Sequence, residues 1–385
     1  MSRNIVALSW FNFFIDFTFY SPVAVLYFAA VTGSYALGMS IFSVAWIASA
    51  VFEVPTGVFS DMIGRKNTVI AGAVSSLLSV MLYAIGGNYW WLFAGAILEG
   101  LGRSFYSGNN DALLHDSLTE SGDKDQYHAY YSSLNVYNQI GLFLVAILGG
   151  IIASISYGWV MWLSVVPRII LVGIALILIE PAIQSKKSSN VYAHIKESLI
   201  LFRTNRKIML LTIITAIRTS IYEGAFQFRT AFIATLWPLW AVGIAKAISN
   251  AGAAVSFRYS RQLLDRFGYK KILVFEVLIN RVINLGSLIF PTVLSPVFLG
   301  ATSLFYGVTS TAVNTLQQKE FSENQRATLG SLSSLFGSFA FSAVVVVLGA
   351  ISDRYGPANA LILAHISVLS ILYFYKKLFT LIQTR

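Results

Sequence analysis

No cysteine occurs in this chain, which excludes disulfides and thiol chemistry and leaves the compartment open. Charge is scarce as well: Asp, Glu, Lys and Arg make up 11% of the residues, against roughly a quarter in a soluble domain. The 4 histidines, His115, His128, His194 and His365, show no metal-ligand spacing. No Gly-rich loop ends in Lys-Ser or Lys-Thr, so nothing marks a nucleotide-hydrolysing site. Long polar stretches are missing too, which leaves no room for a sizeable soluble domain. Together these gaps argue against an enzyme and against any cofactor or metal.

What fills the chain is apolar: 56% of its residues are hydrophobic, and mean hydropathy is +0.69. Spanning a bilayer takes roughly 20 mostly apolar residues per helix, so the length accommodates about a dozen spans. The net charge of +10 does not indicate nucleic acid, because Lys and Arg are dispersed between apolar runs rather than gathered on one face. The first apolar run carries Asp16 and no small-residue cleavage site, and reads as a retained helix rather than a signal peptide.

Apolar runs broken by polar or turn residues predict spans over 5–30, 36–60, 67–87, 89–114, 127–153, 157–180, 207–235, 238–259, 271–291, 296–318, 327–350 and 357–376. Basic residues test the register. Arg3, Arg65 and Lys66, Lys124, the run from Lys186 to Lys207, Arg258 to Lys271, Lys319, Arg326 and Lys376 to Arg385 fall at alternate ends. By the positive-inside rule both termini are expected in the cytoplasm of a multi-pass cell-membrane protein. Trp90, Trp91, Trp159, Trp162, Trp237 and Trp240 fall near the opposite ends, as an interfacial belt would. The polar stretch 181–206 divides residues 1–180, with six spans, from 207–385, with six more, and reads as a linker. Within it, Tyr192 to Phe202 could form an amphipathic surface helix or a solvated basic loop.

A short pattern repeats. Gly57-Val-Phe-Ser-Asp61-Met-Ile-Gly64-Arg65-Lys66 follows the second span, Asp265-Arg-Phe-Gly268 the eighth, and Gly349-Ala-Ile-Ser-Asp353-Arg-Tyr-Gly356 the eleventh. Gly57 is expected to permit close helix approach, Asp61 to cap or pair at a helix end, and Gly64 to supply the turn.

The segment from Gly57 to Lys66 resembles the loop between helices two and three of the major facilitator superfamily. Phe52 to Thr56, Glu99 to Arg103 and Ser107 to Leu114 resemble bacterial permeases of that superfamily often grouped with exporters. The likeness weakens in the second half, where Arg261 stands in the place of Gly57 and Tyr269 in that of Arg65. The resemblance implies an all-α membrane protein of about twelve transmembrane helices in two pseudo-symmetric six-helix bundles, rocking around a cavity lined by helices one, four, seven and ten. It also implies gating-loop roles for Gly57, Asp61, Gly64, Arg65, Lys66, Asp265 and Gly268.

Charge at bilayer depth costs roughly 2.5 to 3.5 kcal/mol per residue on the insertion scale, so it marks partners or tasks. Asn12, Asp16 and Tyr20 recur every four residues and are expected to form one helical stripe. Asp16 is read either as a proton-accepting site or as a permanently paired carboxylate. Glu99 and Arg103 are spaced for an i, i+4 ion pair, and Arg103 matches the fourth-helix arginine that the family associates with proton relay. Asp16, Glu99 and Arg103 are thus the proton-coupling candidates. Asp111 and Glu53 are expected to brace the motif loop. Substrate candidates in the first half are Asn12, Tyr20 and Tyr106; in the second half they are Arg218, Tyr222, Glu223, Gln227, Lys246, Asn250, Tyr306 and Asn314. Tyr131, Asn135, Asn138 and Gln139 on the fifth span read more simply as interhelical hydrogen-bonding groups. By count the first half is acidic at depth and the second basic, though Arg168, Glu276 and Arg281 fall on helices expected to face away from the cavity.

The expected function is secondary transport of a small organic solute, with proton-coupled export of an amphiphilic compound the first reading. A facilitator or importer of an organic anion is the alternative, and a membrane-embedded enzyme or sensor the third. Expected partners are a small-molecule substrate, protons and the lipid bilayer, with no nucleic acid and a monomeric protein.

Overall fold

The computed structural model describes residues 3–181, 205–320 and 326–383. The stretch from Tyr192 to Phe202 therefore lies outside the described residues, as does the side chain of Asp61. Helices dominate, and no strand occurs among the described residues. The first half contains α1 (Arg3–Phe14), α2 (Ala24–Thr32), α3 (Tyr35–Ile63), α4 (Arg65–Ile85), α5 (Tyr89–Tyr106), α6 (Asn109–Ser121), α7 (Tyr127–Ile155), α8 (Tyr157–Leu163) and α9 (Val165–Ile177). The second contains α10 (Arg206–Ile217), a π-helical turn Arg218–Tyr222, α11 (Glu223–Ile233), α12 (Leu239–Phe267), α13 (Tyr269–Ile289), α14 (Ser295–Ala301), α15 (Tyr306–Glu320), α16 (Arg326–Tyr355), α17 (Pro357–Ser367) and α18 (Ile371–Gln383).

Helix falls in every expected span, and among the described residues 9 stretches are long and apolar enough to cross a membrane. The other three spans have physical reasons to fall short. The first is broken between α1 and α2, the fourth divides at Ser107 and Gly108 between α5 and α6, and Lys246 and Asn250 dilute the apolar run of α12. The outer surface is rich in large apolar side chains: Met62, Trp90, Ile155 and Phe290 are 78%, 71%, 75% and 76% exposed. In water such a surface would aggregate; hydrocarbon is the solvent that suits it.

Packing gathers the chain into two compact units. The first holds residues up to Thr32, the first half from Val44 onward, and Leu239–Gly243; the second holds Gly33–Ser43 and the remainder of the second half. The core of the first is built on Leu8, Phe11, Val69, Leu113, Leu114 and Leu171, that of the second on Leu211, Ile214, Leu273, Val277, Ile371 and Tyr375.

The break between α1 and α2 corrects the expectation of one helical stripe. Turns cover 15–23, so Asp16 and Tyr20 stand on irregular backbone rather than on the helix that carries Asn12. Pro22 has no N–H for a helical ladder and disfavours helix in the residue before it. Two glycines of α7 fit this segment closely: a Cβ on Gly141 would overlap the Phe13 carbonyl oxygen, and one on Gly149 the Phe19 carbonyl oxygen.

The repeated pattern has a shared backbone cause. Gly64, Gly268 and Gly356 have φ of 89°, 75° and 84° with ψ of 163°, 159° and 162°, and each directly precedes a helix, α4, α13 and α17. This left-handed φ favours glycine, which is why the spacing from the aspartate recurs three times. Gly57 is different. Among the described residues a Cβ there would meet nothing within 4 Å, so none of them makes the close helix approach expected of it.

Candidate functional site

Asn12, Asp16, Glu99, Arg103 and Tyr106 come together in the first unit around a cavity of about 350 Å³. Asp16 reaches it because α1 stops at Phe14 and the following turn aims the carboxylate inward. Asn138 of α7 donates to Asp16 Oδ2 at 3.0 Å and shares the same amide with the Asn12 carbonyl at 3.3 Å. Arg103 and Glu99, one turn apart on α5, pair with Nη2 to Oε1 at 2.7 Å. The Tyr83 hydroxyl donates to the other Glu99 oxygen at 2.8 Å, which orients the carboxylate from behind. The guanidinium side chain of Arg103 is 52% exposed and lies within electrostatic range of Asp16, with its direct partner on Glu99.

Sequence reasoning missed Arg168. It lies on α9, expected to face away, yet it is buried, lines the cavity and donates from Nη1 to the Ile15 carbonyl freed by the helix break. Its signal was its depth, since an intramembrane arginine needs an acceptor. Asn138, read as an interhelical hydrogen-bonding group, makes such bonds to Asp16 and to the Asn12 carbonyl. Three carboxylates, Asp16, Glu99 and Asp111, and two guanidiniums, Arg103 and Arg168, thus line the space. Tyr20 lies outside this lining, buried against Tyr83 and Phe28 with ring centroids at 5.8 and 6.4 Å.

The loop after α3 has braces that sequence reasoning did not name. Asp111 lines the cavity, and the contacts to the loop come from Asp116 and Glu180. Arg65 Nε donates to Asp116 at 2.7 Å, while the Glu180 carboxylate accepts from the backbone N–H groups of Arg65 and Lys66 at 2.8 and 2.7 Å. An anion at a helix start satisfies otherwise unpaired N–H groups and the helix dipole. At the second copy, Asp265 pairs only loosely with Arg261, at 3.7 Å between largely exposed side chains. At the third copy Asp353 accepts from Ser34 Oγ, Tyr35 N and Ala36 N at 2.6, 2.6 and 3.0 Å, capping the first turn of α3.

In the second unit the candidates divide into two groups. Glu223 accepts from Gln227 at 2.8 Å and lies within electrostatic range of Lys246 and Tyr306, whose ring is half exposed against Phe257. Asn250 is partly buried on α12, and Asn314 is exposed on α15. Arg218 and Tyr222 join Glu276 and Arg281 instead. Arg218 lies 3.8 Å from Glu276 and donates to Thr309 at 2.8 Å, and the Tyr222 hydroxyl reaches Glu276 at 3.2 Å.

The model of the Major Facilitator Superfamily matches residues 6–345. The chain belongs to this superfamily, and so is a multi-pass membrane protein of a transporter family rather than an enzyme. Among curated relatives, the Na(+), Li(+), K(+)/H(+) antiporter of Planococcus maritimus is 27% identical over 43% of this chain and 39% of its own length. The vesicular acetylcholine transporter of Tetronarce californica is 27% identical over 35% of this chain and 26% of its own. The matches thus span well under half of either relative. Among solved structures, a mutant of the nucleoside transporter NupG has a TM-score of 0.83 at 14% identity, covering 97% of this chain and 99% of that one. A bacterial homolog of the human lysosomal transporter Spinster has a TM-score of 0.77 at 14% identity, covering 97% and 96%. At such identity they share the fold alone.

Proposed function

We propose that this protein is a secondary transporter that moves a small amphiphilic organic solute out of the cell by alternating access, in exchange for protons. Its halves, 1–180 and 207–385, act as the two moving bundles, joined by 181–206, with both termini in the cytoplasm. The observation that carries the reading is Asp16: a carboxylate on irregular backbone, open to an intramembrane cavity, held by one amide and, among the described residues, with no guanidinium bonded to it.

In this mechanism Asp16 takes a proton when the cavity opens to one side and gives it up on the other. Arg103 pairs with Glu99 and keeps a positive charge on the wall of the same cavity as Asp16. An organic cation attracted by the surplus carboxylates competes with the proton for Asp16, and that competition is the coupling. The antiporter relative, whose name pairs cations with H(+), supports proton exchange. Glu223, Gln227, Lys246 and Tyr306 are the second unit's contribution to substrate contact. The loop residues Arg65 and Lys66, held by Asp116 and Glu180, serve as a conformational brace.

An organic anion is the alternative substrate, favoured by the surplus of arginine in the second unit. A thermal-shift screen of the purified protein against drugs, organic anions, metal chelates and sugars would name the class. Transport of the hit in proteoliposomes with an imposed pH gradient then tests coupling. Asp16→Asn should still bind it and lose gradient-driven movement, because the amide keeps shape but cannot ionise. Full gradient-driven transport by that variant would remove Asp16 from the mechanism.

A further inference from the structure

Three arginines and one carboxylate meet in the second unit. Tyr222 is flanked on its ring by Arg218 at 5.0 Å and Arg281 at 4.9 Å, and Glu276, 1% exposed, receives both the Tyr222 hydroxyl and the Arg218 guanidinium. Arg218 thus has its counter-charge at 3.8 Å and a hydrogen bond to Thr309, while its Nη1 makes none among the described residues. Arg229 spends its terminal nitrogens on the Leu299 carbonyl, Asn284 and Thr302, all neutral acceptors. Arg281, 4% exposed, has Nε and Nη1 without an acceptor; Arg229 Nε and both ring nitrogens of His365, itself 2% exposed, are in the same condition. Arg281, Arg229 and His365 lie on α13, α11 and α17; α17 packs against both of the others, and Arg229 bonds Asn284 of α13 at 2.9 Å.

Buried guanidiniums are retained when a counter-charge and acceptors are supplied. Here Glu276 already accepts from Tyr222 and Asn280, and the orphan groups, drawn from three helices, are mostly guanidinium N–H donors, with one imidazole N–H and an orphan acceptor in Asn280 Oδ1. A water molecule could accept from two of the donors and give its hydrogens to Asn280 Oδ1, but it would leave the positive charge unopposed. A monoatomic anion does both jobs, since it carries charge and accepts from any direction without a preferred plane.

We propose that the second unit holds a buried halide-class anion, chloride under physiological conditions, bound by the Arg281 and Arg229 guanidiniums and the His365 imidazole. The site is structural: it completes the charge of the helix α11, α13 and α17 contact, and it is independent of the substrate and of the proton chemistry at Asp16.

The test uses the full-length protein purified in detergent. Thermal unfolding is followed while chloride replaces gluconate at constant ionic strength, and a saturable rise in Tm is expected, reproduced by bromide. Arg281→Gln should raise the half-saturating chloride concentration at least tenfold, whereas the exposed Arg354→Gln should leave it unchanged. If Arg281→Gln does not fold, crystals of the parent protein grown in bromide decide the matter: an anomalous peak is expected within hydrogen-bonding distance of Arg281. A flat chloride series, a bromide peak only at the surface, or ordered water alone among these residues would overturn the proposal.

Discussion

The first unit sets three carboxylates and two guanidiniums around a cavity, whereas the second seals three guanidiniums and one carboxylate between helices. Both carry charge at bilayer depth, but they resolve its cost differently. In the first, the Arg103 side chain is 52% exposed and Glu99 22%, so solvent in the cavity shares their charge. In the second, the side chains of Arg218 and Glu276 are 11% and 2% exposed, and protein groups must do the whole of that work. A charge that meets water can change its state or partner during a cycle; a sealed one fixes the packing.

The comparison breaks most sharply on the two carboxylates. Glu276→Gln leaves the buried Arg218 without its acid and should destabilise the protein by about 3–5 kcal/mol. Glu99→Gln should cost about 1 kcal/mol or less, because its pair is solvated. Chemical unfolding in mixed micelles measures both, and equal costs would erase the distinction drawn between the units.

A smaller effect probes what opens the first unit's site. Gly149→Val forces a side chain against the Phe19 carbonyl and should cost about 1–3 kcal/mol, with a matching loss of transport from displacement of the Asp16 turn. Normal transport by a stable Gly149→Val protein would show that the turn does not depend on this contact.

The smallest concerns the third copy of the motif. Asp353→Ala removes the acceptor of three hydrogen bonds at the start of α3 and should cost about 1 kcal/mol. Asp265→Ala, at the exposed second copy, should change stability by no more than about 0.5 kcal/mol. Unfolding curves for the pair would show whether the repeated pattern is used at only some of its positions.

Much of the helical plan was legible because hydropathy and basic-residue alternation are properties of composition, which a bilayer reads one span at a time. The break at 15–23 was not, since Ser21-Pro22 can kink a helix or end it, and the close fit to Gly141 and Gly149 is tertiary. In the site, Asp16, Glu99, Arg103, Asn12 and Tyr106 stood out as charge or polarity at depth. Arg168 and Asn138 were visible as residues but not as neighbours, because helix facing was assigned by analogy. The same analogy put Arg281 and Glu276 aside, and nearness to the helix end suggested Asp111 as a brace of the motif loop, where Asp116 and Glu180 make contacts.

Proton movement tests the central claim most directly. Proteoliposomes loaded with a pH-sensitive dye would be given the compound that most raises the protein's Tm, with no gradient imposed at the start. The parent protein should move protons as the compound moves, in the opposite direction, and Asp16→Asn should bind the compound equally well and move none. Proton movement of parental size through Asp16→Asn would contradict the account.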